Sequence, residues 1–428
     1  MIVKNSSILT FIVLSTLLFN NCKDGNSLFD PDYVAPNESP VITSITPTNG
    51  YLAGVDSVII TGTGFSTDAD ELTVNFGGSA GIVRSASETE LVVRPGTIPG
   101  NSVPVRVSKR GAEFFSEQVN YILFDPFNLY PGTDDSDTPN TPIAVDGSDN
   151  VYTIINRGGI IRYTRIAPDG TVTKDGVKFP GEPRPDPNNT SPYPVDSTMR
   201  FISYSDIEIG PGGVMFITQP SIQAIFTKTF GDGRREGVWS ASSTGSLDIS
   251  DMVFDNNGYL WVVGRNSDQI HRFTVANKSE AKFPFTGALS SIAFYAPNNE
   301  LYVGGNINET QQVWKFTIDG SGNIGAGSLY FDFAQFYNGN IRKMILASNG
   351  ELLIATGTSN AQIVADEGIV RVFPDGKHEP FYDGMLKGNA FGITWRSDKY
   401  AVVVNNGDDA SVNFMDMFDR TRAGIFGF

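Results

Sequence analysis

Six segments in the C-terminal two-thirds of the chain share one pattern: a short apolar strand, a tight turn, and a second apolar strand. They are IAVDGSDNVYTI from Ile143, IEIGPGGVMFIT from Ile207, MVFDNNGYLWVVG from Met252, IAFYAPNNELYVGG from Ile292, MILASNGELLIATG from Met344 and ITWRSDKYAVVVNN from Ile393. With Asn150, Gly213, Gly258, Asn299, Gly350 and Lys399 as turn marks, the intervals are 63, 45, 41, 51 and 49 residues. A period in that range signifies a repeat architecture, and four-stranded propeller blades are its commonest all-β form. Two and four residues past each mark stand Tyr152/Ile154, Met215/Ile217, Leu260/Val262, Leu301/Val303, Leu352/Ile354 and Ala401/Val403, with largely apolar residues between them. Such a strand is buried on both faces, as a blade packed between two neighbours requires.

A third strand follows in most units with an apolar-basic-apolar pattern, as in Ile161-Arg162-Tyr163, Trp314-Lys315-Phe316 and Val370-Arg371-Val372, with His271-Arg272-Phe273 as a variant. The alternation predicts a half-exposed outer strand. Asp-Gly turns follow at Asp169-Gly170, Asp319-Gly320 and Asp375-Gly376, where glycine supplies the positive φ of a hairpin. This signature resembles the NHL-type six-bladed propeller, over roughly residues 143–428. Ring closure stays open at this level: blade one uses its own four strands, or a strand crosses from the other terminus, with RAGIFGF from Arg422 as a candidate.

Upstream, residues 40–123 alternate in short β-branched strands with regular turns, which predicts an immunoglobulin-like sandwich. Ile45-Thr46-Pro47 with Gly50, Ile60-Thr61-Gly62-Thr63-Gly64-Phe65, Val74-Asn75-Phe76-Gly77 and Val92-Val93-Arg94-Pro95 resemble the IPT/TIG family closely. The resemblance implies a spacer or interaction module. The fold class is therefore all-β, a TIG sandwich plus a six-bladed propeller.

The N-terminus reads as an export signal. Lys4 precedes an apolar run of 12 residues from Ile8, too short to span a bilayer, and the only cysteine, Cys22, stands where a bacterial lipobox places its lipidated residue. The two asparagines before it depart from the small residues usual there. Residues 1–21 are thus expected as a lipoprotein-type signal, 22–39 as a polar tether, 124–142 as a hinge and 143–428 as the propeller. The expected location is the cell envelope, lipid-anchored at the outer membrane. A formal charge of −16 excludes nucleic acid and electrostatic adhesion to anionic lipid.

Candidate chemistry is sparse. The two histidines, His271 and His378, are not placed by sequence beside a serine in the manner of a triad, and no Cys/His zinc set exists. No catalytic residue is assigned and no cofactor is required. Calcium is the one metal the composition admits, at Asp134-Asp135-Ser136-Asp137 or at the propeller mouth. Loops joining second to third strands, and each blade to the next, emerge on one face. Arg157, Gln219, Arg265, Asn306 and Asn405 fall there, and Asp206, Asp251, Ser291 and the pair Arg342/Lys343 stand just before the first strands. Planar Arg, Asn and Gln groups suit sugar hydroxyls or a protein backbone. The expectation is binding of a protein or glycan at this face. The alternatives are a propeller enzyme, a lyase, hydrolase or calcium-dependent lactonase-like protein, and a structural spacer. Convergence of three or more of Asp206, Asp251, Asp366, Asp408 and Asp409 near the axis would favour the enzyme.

Overall fold

The computed structural model describes residues 37–55, 57–129, 137–157, 160–175, 204–220, 223–230, 236–240, 247–357, 368–382, 386, 389–396, 400–405 and 414–419. Cys22, the proline-rich 180–200 insertion, Asp134, Asp366, Asp408, Asp409 and the RAGIFGF segment lie outside these residues.

The sandwich is built from Val41–Thr46, Val58–Thr63 and Glu90–Arg94 facing Leu72–Phe76, Gly100–Lys109, Val119–Phe124 and Tyr51–Leu52, with Ser79–Ala86 bridging the two sheets. Inward residues alternate as the sequence requires: Val58 and Ile60 are buried, as are Val74 and Phe76 on the facing sheet, and they meet in one core.

Six four-stranded antiparallel blades follow. Blade one is Asp137–Val145, Val151–Arg157, Ile160–Ile166 and Val172–Asp175; blade two is Ile207–Ile209, Met215–Gln219, Ala224–Lys228 and Glu236–Ser240. Blade three is Ile249–Phe254, Tyr259–Gly264, Ser267–Thr274 and the first part of the long strand Ser279–Tyr295. The rest of that strand opens blade four, with Glu300–Ile307, Thr310–Thr317 and Ser328–Asp332. Blade five is Asn340–Leu346, Leu352–Gly357, Ile369–Val372 and His378–Phe381; blade six is Ala390–Trp395, Tyr400–Asn405, Phe414–Asp419 and Phe127–Leu129.

The last strand answers the closure question. Phe127–Leu129, directly after the sandwich, pairs antiparallel with Phe414–Asp419, so the chain's own upstream segment forms the outer edge of the final blade. The stretch expected as a hinge therefore contributes two strands, this one and the start of blade one. Further contacts dock the sandwich: Val55 is buried in the apolar cluster between blades five and six, with Leu52 beside it. Arg84 pairs with Glu379 on the outer strand of blade five, and Glu379 also accepts from Arg371 Nε at 3.2 Å. Burial pushes the Glu379 carboxyl up, but hydrogen bonds from Arg84 and Arg371 outweigh it and hold it below its ordinary value.

The turn marks carry the predicted backbone. Gly213, Gly258, Asn299 and Gly350 all have positive φ, and in blade one Asp149 takes that role, one residue before the expected Asn150. Gly322 replaces the expected Gly320 in blade four. The third strands keep half-buried positions as expected in blades three and four, at Arg272 and at Trp314 and Lys315, and differ in blade five. In blade five Val370, Arg371 and Val372 are all buried, because a fourth strand covers them. The basic residues lie against aromatic rings: the Arg371 guanidinium is 4.7 Å from the Phe373 ring, and that of Arg272 is 4.4 Å from the Tyr259 ring.

Candidate functional site

Four of the six innermost strands begin with the same local irregularity. In blades three, four, five and six the pairing with the second strand slips between Ile249 and Asp251, Leu289 and Ser291, Ile341 and Lys343, and Ala390 and Gly392. A bulge re-aims side chains that alternation would hide. The bulged residues Ser250, Ser290, Arg342 and Phe391 accordingly line one cavity of about 530 Å³ at the mouth of the ring. Gly357 leaves room for this: a Cβ there would lie 3.2 Å from Arg342 Nε.

In blades three, four and five the residue after the bulge links blades through its side chain, as Asp206 does in blade two. The Met252 amide donates to Asp206 Oδ2 at 3.0 Å, the Ile292 amide to Asp251 Oδ2 at 2.8 Å, and the Met344 amide to Ser291 Oγ at 2.9 Å. Each blade from two to four thus accepts a backbone hydrogen bond from the next. Lys343 completes the relay across the axis, donating to Asp206 Oδ1 at 3.0 Å and to Asp251 Oδ1. Ser291 Oγ donates to Asp251 Oδ2 at 2.6 Å. Burial pushes the Lys343 ammonium down, but Asp206, Asp251 and Glu208 more than reverse this, so it stays charged. Burial lifts the Asp206 carboxyl well above its ordinary value, against the opposing pull of Lys343. Below this layer is a narrow axial channel of about 90 Å³, walled by Ile143, Met252, Ile292, Met344 and Ile393. Glu208 faces it, and burial pushes its carboxyl up to about 8.

The structure brings together much of the predicted set. Asp206, Arg265, Asn306, Arg342 and Lys343 line the cavity, joined by Tyr204, Asp248, Gln311 and Asn340. Asp251, 1% exposed, lies one layer beneath, bound to Lys343. Gln219 is buried at 3% exposure and outside the lining, its neighbour Pro220 taking the wall position. The backbone of Arg157 and Asn405 ends second strands as expected, paired with Asp137 and Ala390, while their side chains lie outside the described residues. Of the five carboxylates proposed to converge, Asp206 and Asp251 do. Among the described residues no group of three or more His, Cys, Asp or Glu is placed to hold a metal ion.

One sequence expectation is corrected. His271 does meet a serine: Ser267 Oγ lies 3.0 Å from its Nε2, and Glu280 Oε1 lies 2.6 Å from its Nδ1. A bulge between Ser267 and Gln269 brings the serine over the ring, which linear spacing along a strand does not reveal. The ring is buried, stacked 6.3 Å from Phe273, and the Gln269 amide donates to Ser267 Oγ at 3.2 Å. His378 is held by Tyr337, whose hydroxyl is 2.7 Å from Nδ1. A further signal in the sequence is an Asp at the first turn: Asp146 accepts from the Tyr152 hydroxyl and Asp255 from Trp261 Nε1, both at 2.9 Å.

The IPT/TIG domain model matches residues 40–122. No curated protein matches the chain. Among solved structures, a luciferin-regenerating enzyme superposes with a TM-score of 0.50 at 11% identity, covering 70% of this chain and 97% of that one. An auxiliary nutrient binding protein from Bacteroides thetaiotaomicron gives 0.49 at 12%, covering 91% and 98%. A gluconolactonase from Xanthomonas campestris gives 0.48 at 12%, covering 68% and 88%. At these identities the likeness concerns the fold.

Proposed function

We propose that this protein is a binding protein of the cell envelope, in which an N-terminal lipid anchor at Cys22 and the TIG sandwich present the NHL-like propeller mouth to a glycan or protein ligand. The observation that carries the reading is the commitment of the axial charges. Asp206, Asp251 and Lys343 satisfy one another and the amides of adjacent blades, so the floor is a structural lock. What faces the cavity above it is a set of planar donors and acceptors, Arg265, Arg342, Asn306, Gln311 and Asn340, which suits recognition of hydroxyls or backbone amides. The sandwich supports this orientation. Glu379, its partner on blade five, follows the third-to-fourth-strand turn, at the end of the blade opposite the mouth.

The test is a binding screen of the purified chain against glycan and envelope- or matrix-protein arrays, with calcium and with chelator. A saturable, calcium-independent ligand is expected, with Arg265→Ala and Arg342→Ala each weakening it about tenfold, the effect of losing one charged hydrogen bond. A spacer would show no ligand. The enzyme reading has one observation in its favour, the Ser267–His271–Glu280 line. Because the carboxylate only accepts, neutral His271 carries its proton on Nδ1 and leaves Nε2 to accept from Ser267. A fluorophosphonate probe is expected to leave Ser267 unlabelled, and stoichiometric labelling there would move the assignment to a serine hydrolase.

A further inference from the structure

The two ends of the sandwich present different surfaces. At one end Leu52 and Val55 dock against the propeller, beside the Gly54 amide, which donates to the Gly96 carbonyl at 3.0 Å, and the Ala53 amide, which donates to that of Phe124 at 2.9 Å. Strand Val119–Phe124 finishes here and strand Gly100–Lys109 begins, with Gly100 opposite Leu123. At the other end the connection from Lys109 to Val119 carries Phe114 and Phe115, 64% and 59% exposed, the two most exposed large apolar side chains among the described residues. Their backbone is tied down on both sides. The Ala112 amide donates to the Lys109 carbonyl at 3.1 Å and the Phe114 amide to Ser39 Oγ at 3.3 Å. Buried Ser116 donates its amide to the Val107 carbonyl at 2.8 Å and accepts from the Val107 amide at 2.9 Å. An adjacent aromatic pair held in water by a fixed loop is an interaction surface, unlike a singly scattered apolar side chain.

The path of the chain names the occupant. Asn37 lies at the same end, its amide donating to the Gly111 carbonyl at 3.3 Å and its Nδ2 to the Arg110 carbonyl at 2.7 Å. Val41, half exposed, stands two residues beyond Ser39. Fifteen residues separate Cys22 from Asn37, and even fully extended they span at most about 50 Å. A lipid anchor at Cys22 therefore draws the bilayer to this end. Lys109 and Arg110 turn back onto the sandwich, where Nζ donates to the Phe65 carbonyl at 3.4 Å and Nη2 to that of Asp70 at 3.3 Å. The contact on offer is thus apolar, and phenylalanine gains by burial at the boundary of headgroups and acyl chains.

Resting on the lipid anchor proposed above, we infer that Phe114 and Phe115 form a membrane-contact site, their rings seated in the headgroup–acyl boundary of the leaflet that holds the anchor. The sandwich then stands on the bilayer by this tip and carries the propeller at its other end.

The chain from Cys22 onward retains every described residue, and its sole cysteine couples it to a maleimide-bearing lipid in phosphatidylcholine vesicles. Phe115→Trp adds one reporter to four native tryptophans. Its added emission is expected to shift to the blue and to lose at least about half its intensity when the acyl chains carry bromine, whereas the native emission stays unchanged. Hydrogen exchange of amides 112–118 is expected to slow about fivefold or more in the coupled wild type relative to the chain capped with a soluble maleimide, and not in the double variant Phe114→Ser/Phe115→Ser. Thermal melts report whether the variants fold. An unquenched reporter, or protection retained in the double variant, overturns the inference. So does a dimer of the uncoupled chain that the double variant abolishes, which would assign the pair to a second copy. Intact mass of the chain produced with its own leader separates the two readings. If Cys22 is acylated and the reporter stays unquenched, the membrane contact falls alone; if Cys22 is unmodified, the anchor and the contact fall together.

Discussion

Replacing Lys343 by methionine is expected to destabilise the folded chain by roughly 3–5 kcal/mol at pH 7, the cost of removing one partner from a buried charge cluster. Methionine matches the length of the lysine stem, so the loss reports the ammonium and not a cavity. Without it, Asp206 and Asp251 face each other across the axis with only blade amides and Ser291 to hold them. The pH dependence makes the test specific. Glu208 has a folded value of about 8 against an ordinary 4.5, so the folded state binds more protons in that window. Its contribution is therefore fully present below about 4.5 and is lost as pH rises towards 8. Asp206, also raised, acts with the same sign. Lys343, raised above the ordinary lysine value, contributes stability that is lost only as pH rises beyond that value. In Lys343→Met both carboxyls lose the ammonium that lowers them, so the deficit is expected to shrink on acidification from pH 7 to 5. Urea melts at pH 5, 7 and 8.5 would read this directly. A midpoint that is unchanged, or a deficit that grows in acid, would rule out the relay as described.

A propeller begun at Asp125, which keeps Phe127–Leu129, is expected to melt cooperatively, whereas one begun at Asp137 is expected to lose at least about 10 °C of melting temperature or to aggregate. The reason is the pairing of Phe127–Leu129 with Phe414–Asp419. Without it, blade six ends on an unpaired strand, an edge that templates association, and the first and last blades share no covalently supplied strand. Calorimetry and light scattering on the two chains check the prediction. Equal melts would show that the closing strand is dispensable. Either chain should also fall below the full-length protein, because removing the sandwich uncovers the site where Val55 is buried and deprives Glu379 of Arg84.

Much of this molecule follows from local pattern. The doubly apolar second strands fix the number of blades, because a strand buried on both faces needs a neighbour on each. The glycine and asparagine turn marks fix where each hairpin reverses, since positive φ is open to few residues. The alternating strands of residues 40–123 fix the sandwich in the same way. Even the axial positions were legible: Asp206, Asp251, Ser291 and Lys343 stand one residue before the apolar run of each first strand and meet at the axis.

What those residues do was decided by three-dimensional packing. The charges at Asp206, Asp251 and Lys343 read as candidate ligand contacts, yet only the juxtaposition of blades two, three and five shows that they bind one another. The bulges that turn Ser250, Ser290, Arg342 and Phe391 into the mouth, and Ser267 onto His271, arise from one extra residue against a partner strand, a property of the pair and not of either sequence. Ring closure likewise needed both ends of the propeller in one place. Periodicity along the chain determined the blades, because burial of alternate faces is a local demand. The floor, the mouth and the closing strand depend on contacts between residues tens to hundreds of positions apart, which only the assembled ring brings together.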